Sequence, residues 1–409
     1  ALCDGETTKC EAGTQKIHRI GWCYMGIWRS VKVGDLGKVV TGKTPKTSIA
    51  DNYGGTIPFL TPSDDMSIKF VRHTAKTLTE KGLSEVKKAL LPPNSVCVSC
   101  IGSELGKVVI TTDYTVTNQQ INSIIVDQEQ FDVSFVYYAM LILGKELNFI
   151  SKTSTAVPIV NKSSFSSYEI KCPALKQQKL ISSVLSSLDA KIECNRKIND
   201  NFAELLQTVY QERFGDVRTA TEQGRLSDIS SYSRDRVAVS ELNANTYFST
   251  ENMLPGKAGA TEATSLPTIS QTTACHKGDT LISNIRPYFK KIVYCEDGCG
   301  CSTDVLCFTP VQLKYAAYLF STLYADKFFA YMVAGSKGTK MPRGDKQQIM
   351  SYPVALPSDE ELDEFNAFAL PILAQCHSNK AENKRLSATR DALLPKLMSG
   401  EIDVSDIQL

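Results

Sequence analysis

The segment Gly37-Lys-Val-Val-Thr-Gly42-Lys43-Thr44 matches the spacing of a phosphate-binding P-loop. In a P-loop, backbone N–H groups and the lysine cradle phosphates, and a helix begins at once. Here Pro45 follows, and the next residues show no apolar helical face before Gly54-Gly55 interrupt them. The sequence therefore predicts a polar loop in which Lys43 and Thr44 contact phosphate, with a nucleotide-hydrolysing site as the alternative.

Five of the thirteen cysteines lie close together in the second half of the chain, namely Cys275, Cys295, Cys299, Cys301 and Cys307. Structural zinc sites use paired C-x-x-C knuckles, and this spacing differs from that pattern. The first half of the sequence has no matching cluster. We therefore predict ordinary buried thiols and no metal site.

The sequence carries no recognisable catalytic motif. It lacks a glycine-rich methyl-donor loop, a nucleophile elbow and a carboxylate cluster suited to two metal ions. The segment Asn284-Ile-Arg-Pro-Tyr288 is similar to the Asn-Pro-Pro-Tyr tetrad of methyltransferases, but it has an extra residue and lacks the paired prolines. We predict that the chain is not an enzyme and holds no cofactor.

Two loops carry side chains of the kind that contact nucleic acid. Residues 335–346 include four basic residues, among them Lys337, Lys340 and Arg343, and residues 151–158 occupy the corresponding place in the first half. Lys, Arg, Ser and Thr suit phosphate contacts and hydrogen bonds to base edges. A solvated surface loop is the alternative, and recurrence at two places favours binding.

The segment Arg286-Pro-Tyr-Phe-Lys290 adds a guanidinium group, an aromatic ring and an amine in a turn between two predicted strands. Arg286 could bond guanine through two hydrogen bonds, or it could pair with an acid inside its own domain.

The loops recur because the two halves of the chain align with each other at a constant sequence offset. In this alignment Thr155-Ala-Val-Pro158 matches Thr339-Lys-Met-Pro342, and Pro173 matches Pro357. Each half begins with a β-rich part punctuated by Gly, Pro, Asp and Asn, which contains an amphipathic helix at about 132–150 or 313–334. Each half then ends in a long helix. The pattern indicates a tandem duplication.

Each long helix shows an apolar seam in alternating steps of four and three residues, from about Ile181 to Val209 and from about Phe365 to Leu397. A buried asparagine in such a seam costs stability and fixes the register and the partner. We expect Pro371 to kink the second helix or to split off its first turns. The predicted register residues are Asn195, Asn199, Asn379 and Asn383.

Length and composition limit the function classes. A chain of 409 residues with a net charge of +1 fits two or three domains and excludes a uniformly basic, histone-like binder. Residues 1–28 show no apolar signal segment, and the longest apolar run, about Val133 to Leu143, is too short to span a bilayer. We expect a cytoplasmic protein with reduced thiols and no membrane partner.

Four segments resemble the specificity subunits of type I restriction–modification systems. Val31-Lys-Val-Gly-Asp-Leu-Gly is similar to the opening strand of that family, and Gly278-Asp-Thr-Leu-Ile-Ser-Asn-Ile-Arg-Pro-Tyr to its central strand and turn. Pro173 to Gln178 resembles the lead-in to the first helix, and Leu393-Leu-Pro-Lys-Leu-Met-Ser-Gly-Glu-Ile402 the closing signature. The resemblance covers nearly the whole chain from about Trp28. The first half departs from it at Cys100-Ile-Gly-Ser-Glu-Leu-Gly, which lacks the Arg-Pro-Tyr trio.

The resemblance implies an α+β fold with two β-rich target-recognition domains in tandem repeat, separated by two long helices packed as an antiparallel coiled coil. The first domain would occupy residues 1–172, with 1–27 as an unassigned N-terminal extension, and the second residues 217–357. The spacer helices would occupy residues 173–216 and 358–409.

The resemblance also implies a function. Each domain would bind one half of a split target in double-stranded DNA, and the helices would bind two methyltransferase subunits. Restriction subunits that translocate and cut DNA would join where they exist. S-adenosylmethionine, ATP and Mg²⁺ would be held by those partners only, so this chain would not itself be catalytic.

A scaffold that pairs helices and binds no DNA is the competing interpretation, and the near-neutral charge favours it. In the DNA-binding interpretation, the candidate contact residues are polar loop positions of both repeats: Lys43, Thr44, Thr61, Ser63, Ser103, Lys107, Asn118, Gln119, Lys152, Ser154, Thr155, Arg286, Tyr288, Lys290, Ser336, Lys337, Thr339, Lys340 and Arg343.

Overall fold

The computed structural model describes residues 28–71, 73–102, 105–153 and 159–404. The extension 1–27 lies outside the described residues. The described residues form two compact units, one made of residues before 193 and after 383, and the other of residues 193–383.

The first unit contains ten strands and the start of a long helix. Its strands are β1 (Arg29–Lys32), β2 (Gly37–Thr41), β3 (Tyr53–Leu60), β4 (Lys76–Leu78), β5 (Leu90–Leu91), β6 (Ser95–Ser99), β7 (Val108–Ile110), β8 (Thr115–Thr117), β9 (Ile121–Val126) and β10 (Glu169–Cys172). Its helices are α1 (Glu80–Val86), α2 (Val133–Thr153), α3 (Lys162–Ser167) and α4 (Leu175–Phe214), the last of which continues into the second unit.

Two four-stranded sheets form the β-rich part of this unit. One has the antiparallel order β2-β9-β6-β7, and the other has the order β4-β3-β8-β5 with β3 parallel to β8. Strands β1 and β10 form a separate antiparallel pair. All five residues of β6 are buried, as expected for a central strand rich in Val and Ser.

Helix α2 packs on the first sheet through its apolar face, where Phe135 and Tyr138 are fully buried. The side chain of Gln178, in the first turn of α4, accepts from the N–H of Asp132 at 2.9 Å and donates to the carbonyl of Pro173 at 2.9 Å. A buried amide with both ends bonded is stabilising. The Pro-to-Gln lead-in predicted from the sequence thus joins the starts of α2 and α4.

The second unit repeats this plan. Its strands are β11 (Gln223–Arg225), β12 (Ser230–Tyr232), β13 (Arg236–Ala238), β14 (Tyr247–Phe248), β15 (Gln271–Cys275), β16 (Thr280–Ser283), β17 (Ile292–Tyr294), β18 (Cys299–Cys301), β19 (Val305–Pro310) and β20 (Pro353–Ala355). Its helices are α5 (Leu226–Ile229), α6 (Ala316–Tyr324), α7 (Asp326–Ala334), α8 (Lys346–Met350) and α9 (Asp359–Ser399), the last of which ends in the first unit.

The sheets of the second unit have the orders β12-β19-β16-β17 and β13-β15-β18-β14, and β11 pairs with β20. Strand β14 is parallel to β18, as β3 is to β8. Strands β17, β18 and β19 follow β7, β8 and β9 at the offset of the sequence repeat. The fourth strand lies at opposite edges of these two sheets, because β4 lies beside β3 whereas β13 lies beside β15, the counterpart of β5.

One expectation for the helices is wrong, and the split expected at Pro371 does not occur. The helix expected at 313–334 is two helices, α6 and α7, because Ala325 takes an extended conformation between them. Helix α9 is not split at Pro371 and runs without a break from Asp359 to Ser399. The buried residues Phe365 and Ala369 hold the turn before the proline in place. Among the described residues, no helix combines the length and apolarity needed to cross a membrane.

Candidate nucleic-acid interface

The turn that follows the central strand β6 meets two other loops in the first unit. The N–H of Cys100 donates to the carbonyl of Gln120 at 2.7 Å, and the carbonyl of Cys100 accepts from the N–H of Val160 at 2.9 Å. Ile101 and Ile159 form an isolated antiparallel bridge beside these bonds. We call this meeting of residues 100–102, 118–120 and 159–160 the first junction.

The same bonds recur in the second unit, at the positions that the sequence repeat assigns to them. The N–H of Asn284 donates to the carbonyl of Asp304 at 2.8 Å, and its carbonyl accepts from the N–H of Gly344 at 3.3 Å. Ile285 and Arg343 form the matching bridge. We call this meeting of residues 284–286, 302–304 and 343–344 the second junction. The two junctions share one backbone scaffold and present different side chains on it.

Backbone conformation is also repeated in the turns of the two junctions. Gly102 and Gly106 have positive φ angles of 97° and 88°, and the corresponding Arg286 and Lys290 have φ angles of 50° and 51°. The left-handed region costs a residue with a Cβ free energy that glycine avoids. A Cβ on Gly106 would lie 2.0 Å from the carbonyl oxygen of Gly144, whereas one on Gly102 would meet only a side-chain nitrogen at 3.8 Å. Steric crowding therefore explains the glycine at position 106, whereas only backbone conformation distinguishes Gly102 from Arg286. At Arg286 the second unit has a residue with a Cβ in the strained left-handed conformation.

Basic side chains of the second junction are held by carboxylates of the same unit. Arg343 Nη2 lies 3.0 Å from Asp304 Oδ1, and Lys337 Nζ bonds Asp345 Oδ2. The bond from Lys337 and two backbone N–H groups lower the pKa of Asp345, which also caps α8. These ion pairs are exposed to solvent and are individually weak.

A second group of cations surrounds the turn of residues 286–290. Lys290 and Lys257 both bind Asp326, at 2.9 and 2.7 Å, and these bonds lower the pKa of that carboxyl group. The N–H of Lys257 also donates to the carbonyl of Lys290 at 2.9 Å. The break between α6 and α7 leaves Asp326 in the first turn of α7, where it meets both lysines.

The other predicted residues of the second unit, which lie beside the second junction in the sequence, are exposed or half-buried. Tyr288, Thr339 and Lys340 are exposed. Ser336 is half-buried, and its hydroxyl donates to the carbonyl of Val333 at 2.7 Å, so it completes the end of α7. Ser336 is thus engaged in local structure.

The first junction is richer in amides than in cations. Thr44 Oγ1 donates to Gln119 Oε1 at 2.6 Å, and the N–H of Lys43 donates to the carbonyl of Thr117 at 2.8 Å. Asn118 Nδ2 donates to Gln120 Oε1 at 2.8 Å. The structure therefore brings the predicted residues Lys43, Thr44, Asn118 and Gln119 together, with the Lys43 side chain exposed.

Other predicted residues of the first unit are less well placed for binding. Thr61 donates its N–H and its hydroxyl to Asp64, at 2.7 and 2.9 Å, and Ser63 between them is exposed. Lys107 is half-buried, and its N–H donates to Ser99 Oγ at 2.9 Å. Lys152 lies in the last turn of α2, and its side chain lies outside the described part of the chain. Ser103, Ser154 and Thr155 also lie outside the described residues.

Sequence reasoning missed the carboxylates of the second unit and Lys257. Asp304, Asp326 and Asp345 each hold at least one cation of the loops. Asp304 could have been found from the repeat, because it falls on Gln120 beside the predicted Asn118 and Gln119. Asp326 had no such signal, since both of its lysine partners are distant from it in the sequence.

The P-loop alternative is wrong for the segment from Gly37 to Thr44. Gly37–Thr41 is strand β2, paired with β9, and no helix follows Thr44 before the short 3-10 turn at Ala50–Asn52. Without a helix N-terminus behind the loop, backbone N–H groups do not converge on a phosphate.

The five clustered cysteines are buried together in the second unit. Cys295 and Cys299 have their sulfur atoms 3.6 Å apart. Four of the five positions correspond, in the first repeat, to the buried hydroxyl residues Thr111, Thr115, Thr117 and Ser123. Small, weakly polar side chains, whether cysteine or a hydroxyl residue, suit these buried positions of the sheet. Among the described residues, no group of three or more His, Cys, Asp or Glu is arranged to hold a metal ion.

Comparison with known proteins agrees with this duplicated architecture. Residues 25–202 match the model of the type I restriction modification DNA specificity domain. The specificity subunit of the type I restriction enzyme MjaIX of Methanocaldococcus jannaschii is 23% identical over 411 residues, covering 93% of this chain and 94% of that protein. Residues 25–202 thus carry the type I DNA specificity domain, and the chain as a whole is similar to a specificity subunit.

A second relative supports the assignment, and a solved structure supports the fold. The HindI specificity subunit of Haemophilus influenzae is 35% identical over 176 residues, which cover 41% of this chain and 38% of that protein. The crystal structure of the type I S subunit from M. genitalium has a TM-score of 0.52 at 17% identity and covers 91% of this chain and 96% of that one. The fold class predicted from the sequence is confirmed.

The four seam asparagines pair across α4 and α9. Asn195 Nδ2 donates to Asn383 Oδ1 at 2.9 Å and to Glu382 Oε2 at 2.6 Å. Asn379 Nδ2 donates to Asn199 Oδ1 at 2.8 Å. The pairing of early with late positions is that of antiparallel helices. A shift of the register would leave buried amides without partners, which is costly.

The first unit contains a buried lysine beside the long helices. Lys69 is 9% exposed, and its Nζ lies 4.6 Å from the ring centroid of Tyr138 and 2.7 Å from Ser186 Oγ. Tyr138 donates its hydroxyl to Asp189, which also binds Arg390 at 2.9 Å. Burial lowers the pKa of Lys69 to about 8, and the charge of Asp189 opposes that shift. This chain of contacts links a loop of the domain, helix α2 and both long helices.

Proposed function

We propose that this chain is the DNA-recognition subunit of a type I assembly and that its two repeated domains each bind one half of a split target. The observation that carries the proposal is the pair of junctions. One hydrogen-bonded scaffold occurs twice, with Ile159 in the first and Arg343 in the second, and with Gly102 in the first and Arg286 in the second. A duplicated scaffold with unlike side chains suits two different half-sites.

The chemistry of the first junction fits adenine. Asn and Gln side chains form paired hydrogen bonds with the N6 and N7 edge of that base, and Asn118 and Gln119 are the amides presented there. Lys43, which is exposed beside them, suits a phosphate contact. In this proposal the bonds from Thr44 to Gln119 and from Asn118 to Gln120 hold the amides in position before DNA binds.

The chemistry of the second junction fits guanine and the phosphate backbone. Arg286 and Arg343 are the guanidinium groups suited to the O6 and N7 edge of guanine. Lys337 and Lys340 would contact phosphates, which position the protein without selecting a sequence. Exchange of a carboxylate for a phosphate oxygen would keep each cation paired, so the cost of breaking the existing ion pairs is small.

The long helices would bind two methyltransferase subunits and set the distance between the half-sites. A 40-residue helix is about 60 Å long at 1.5 Å per residue, which exceeds the roughly 35 Å of one duplex turn. The chain itself would hold no cofactor. S-adenosylmethionine would be bound by the modification subunits, and ATP with Mg²⁺ by restriction subunits where they are present. The assembly would act on DNA in the cytoplasm.

The test is to express the chain with the methyltransferase encoded beside it in a host without adenine methylation, and then to map N6-methyladenine by long-read sequencing. We expect a split motif with a constant gap, which disappears when this chain is left out. Arg343→Ala should relax one base position by about 1–3 kcal/mol, and Lys337→Ala should weaken all sequences alike.

One control variant and one negative outcome separate this function from a scaffold that binds no DNA. The exposed Lys81, which pairs with Asp51, lies outside both junctions, so Lys81→Ala should leave the motif and its methylation unchanged. A stable complex that methylates nothing and shows no salt-dependent DNA binding would favour the scaffold and overturn the proposal.

A further inference from the structure

Two aromatic rings project from the turn of the second junction. Tyr288 is 49% exposed and Phe289 is 39% exposed, and their ring centroids lie 4.7 Å apart with the planes at 54°. Neither ring is covered by the apolar core of the unit. Large exposed aromatic side chains placed side by side mark a binding surface more often than chance exposure does.

The backbone of the turn holds these rings in one place. Inside the turn, the N–H of Phe289 donates to the carbonyl of Arg286 at 2.9 Å. From outside, the N–H groups of Gly256 and Lys257 donate to the carbonyls of Phe289 and Lys290 at 2.8 and 2.9 Å. The left-handed conformations of Arg286 and Lys290 add strain that this bonding must overcome. A strained turn fixed from both sides presents its rings without a further loss of entropy on binding.

The rings are surrounded by positive charge. Lys291 Nζ lies 6.0 Å from the ring centroid of Phe289, and Lys257 and Lys290 share the single carboxylate of Asp326. On the other side of the turn, the N–H of Arg286 donates to the carbonyl of Pro342, next to Arg343. Apolar flat faces inside a cationic rim are complementary to a partner with stacked rings and negative charge, which describes a nucleic acid.

We propose that Tyr288 and Phe289 form a stacking wedge that enters a base step of one half-site and opens it. This inference rests on the proposed function. Apolar side chains that enter between base pairs unstack them and favour steps that deform easily, so the wedge would add selectivity at a position without hydrogen bonds to base edges. The corresponding residues of the first repeat are Glu104 and Leu105, neither of them aromatic, and Leu105 is fully buried. Only the half-site bound by the second unit would be opened.

The test uses the full chain assembled with its modification subunits, without S-adenosylmethionine, on the mapped target duplex. 2-Aminopurine replaces one base at a time in both half-sites, excluding the adenines that are methylated. We expect a rise in fluorescence at one step of one half-site. The double variant Tyr288→Ala with Phe289→Ala should lose that rise and bind roughly ten- to a hundred-fold more weakly, and each single variant should show part of the loss.

The matched control is Tyr114→Ala in the first unit, where an equally exposed tyrosine lies outside both junctions. It should change neither fluorescence nor affinity. If the assembly binds the duplex with no rise at any tested step and the double variant binds equally well, the wedge is wrong and the proposed function stands. If the double variant fails to assemble with the modification subunits, the rings serve a protein contact and the wedge is overturned. If the unaltered assembly binds no duplex, both proposals fail.

Discussion

The two repeated units pack against their segments of the long helices through different chemistry. In the first unit, a polar chain from Lys69 through Tyr138 and Asp189 to Arg390 runs from the domain to both helices. In the second unit, rings join the domain to both helices instead, since Phe214 lies edge-on to Tyr318 and to Phe365 with centroids 5.1 and 5.5 Å apart.

This difference shows that the duplicated fold does not depend on one kind of contact. Ring packing requires burial and shape, and it is nearly independent of pH and salt. A buried charge network requires every member to be paired, because a charge left alone is costly. The two units should therefore respond differently to mutation and to pH.

Phe365→Ala should have the largest effect. The side chain is fully buried within the ring cluster of the second unit, and truncation of a buried phenylalanine costs about 3–5 kcal/mol. Chemical denaturation should show this loss equally at pH 7 and pH 9 and at low and high salt. A loss that changes with pH would contradict the assignment of this attachment to apolar packing.

Asp189→Ala should cost somewhat less, about 3 kcal/mol, because it removes the carboxylate that binds Tyr138 and Arg390 and whose charge favours protonated Lys69. Lys69 can limit the cost by releasing its proton. The exposed ion pair of Asp51 with Lys81 supplies the control, and Asp51→Ala should change stability by less than about 1 kcal/mol. Equal effects of the two substitutions would show that the network is solvated.

The pH dependence of stability should come next in size. Because burial lowers the pKa of Lys69 to about 8, the unfolded chain binds a proton that the folded chain lacks between about pH 8 and 10.5. The contribution of Lys69 to stability should therefore rise with pH through this window, by about 2 kcal/mol from pH 8 to 10. Buried thiols and phenols act in the opposite direction, since burial raises the pKa of Cys97, Cys100, Tyr137 and Tyr138. The Lys69 contribution is therefore measured as the difference in unfolding free energy between the parent chain and a variant without the lysine.

Lys69→Met checks the source of that rise. The variant keeps an unbranched apolar stem and removes the titrating group, so the stability of the parent relative to the variant should increase by about 2 kcal/mol between pH 8 and 10. Lys38→Met, at an exposed position of β2, should show no such pH-dependent difference from the parent chain. A constant difference between Lys69→Met and the parent across this range would show that Lys69 does not titrate there.

Arg286→Gly should have the smallest effect and the opposite sign. Glycine relieves the left-handed strain, as Gly102 does at the same position of the first repeat, and stability should rise by about 0.5–1 kcal/mol. Affinity for one half-site should fall at the same time. Lower stability would show that the Arg286 side chain contributes more to folding than its backbone conformation costs.

The repeat made much of this architecture predictable from the sequence. The constant offset between the halves, the heptad seams and the four asparagines depend on local periodicity, which survives in a single chain. The loops of the junctions followed from the same offset. The paired positions of Asn195 with Asn383 and of Asn199 with Asn379 are a consequence of antiparallel packing of those seams.

Contacts between distant segments were not predictable. Nothing near Lys69 in the sequence indicates that Ser186, 117 residues away, accepts a hydrogen bond from it. The break at Ala325 was missed because the apolar pattern continues through it, and the pairing of Asp326 with Lys257 and Lys290 is formed only by the folded chain. Side-chain pairing across a fold depends on geometry that periodicity does not carry.

The asparagine pairs have a consequence for the symmetry of the helix seam. Asn195 and Asn379 occupy the same position of the repeat, as do Asn199 and Asn383. Asn195 bonds Asn383, and Asn379 bonds Asn199, so each hydrogen bond joins the two different repeat positions. The seam is therefore related to itself by a pseudo-twofold axis, which is the property of an isologous interface. A half-length chain carrying a single copy of the seam would be complementary to a second copy of itself, so separated halves of this protein should be able to reassemble in place of the tandem chain.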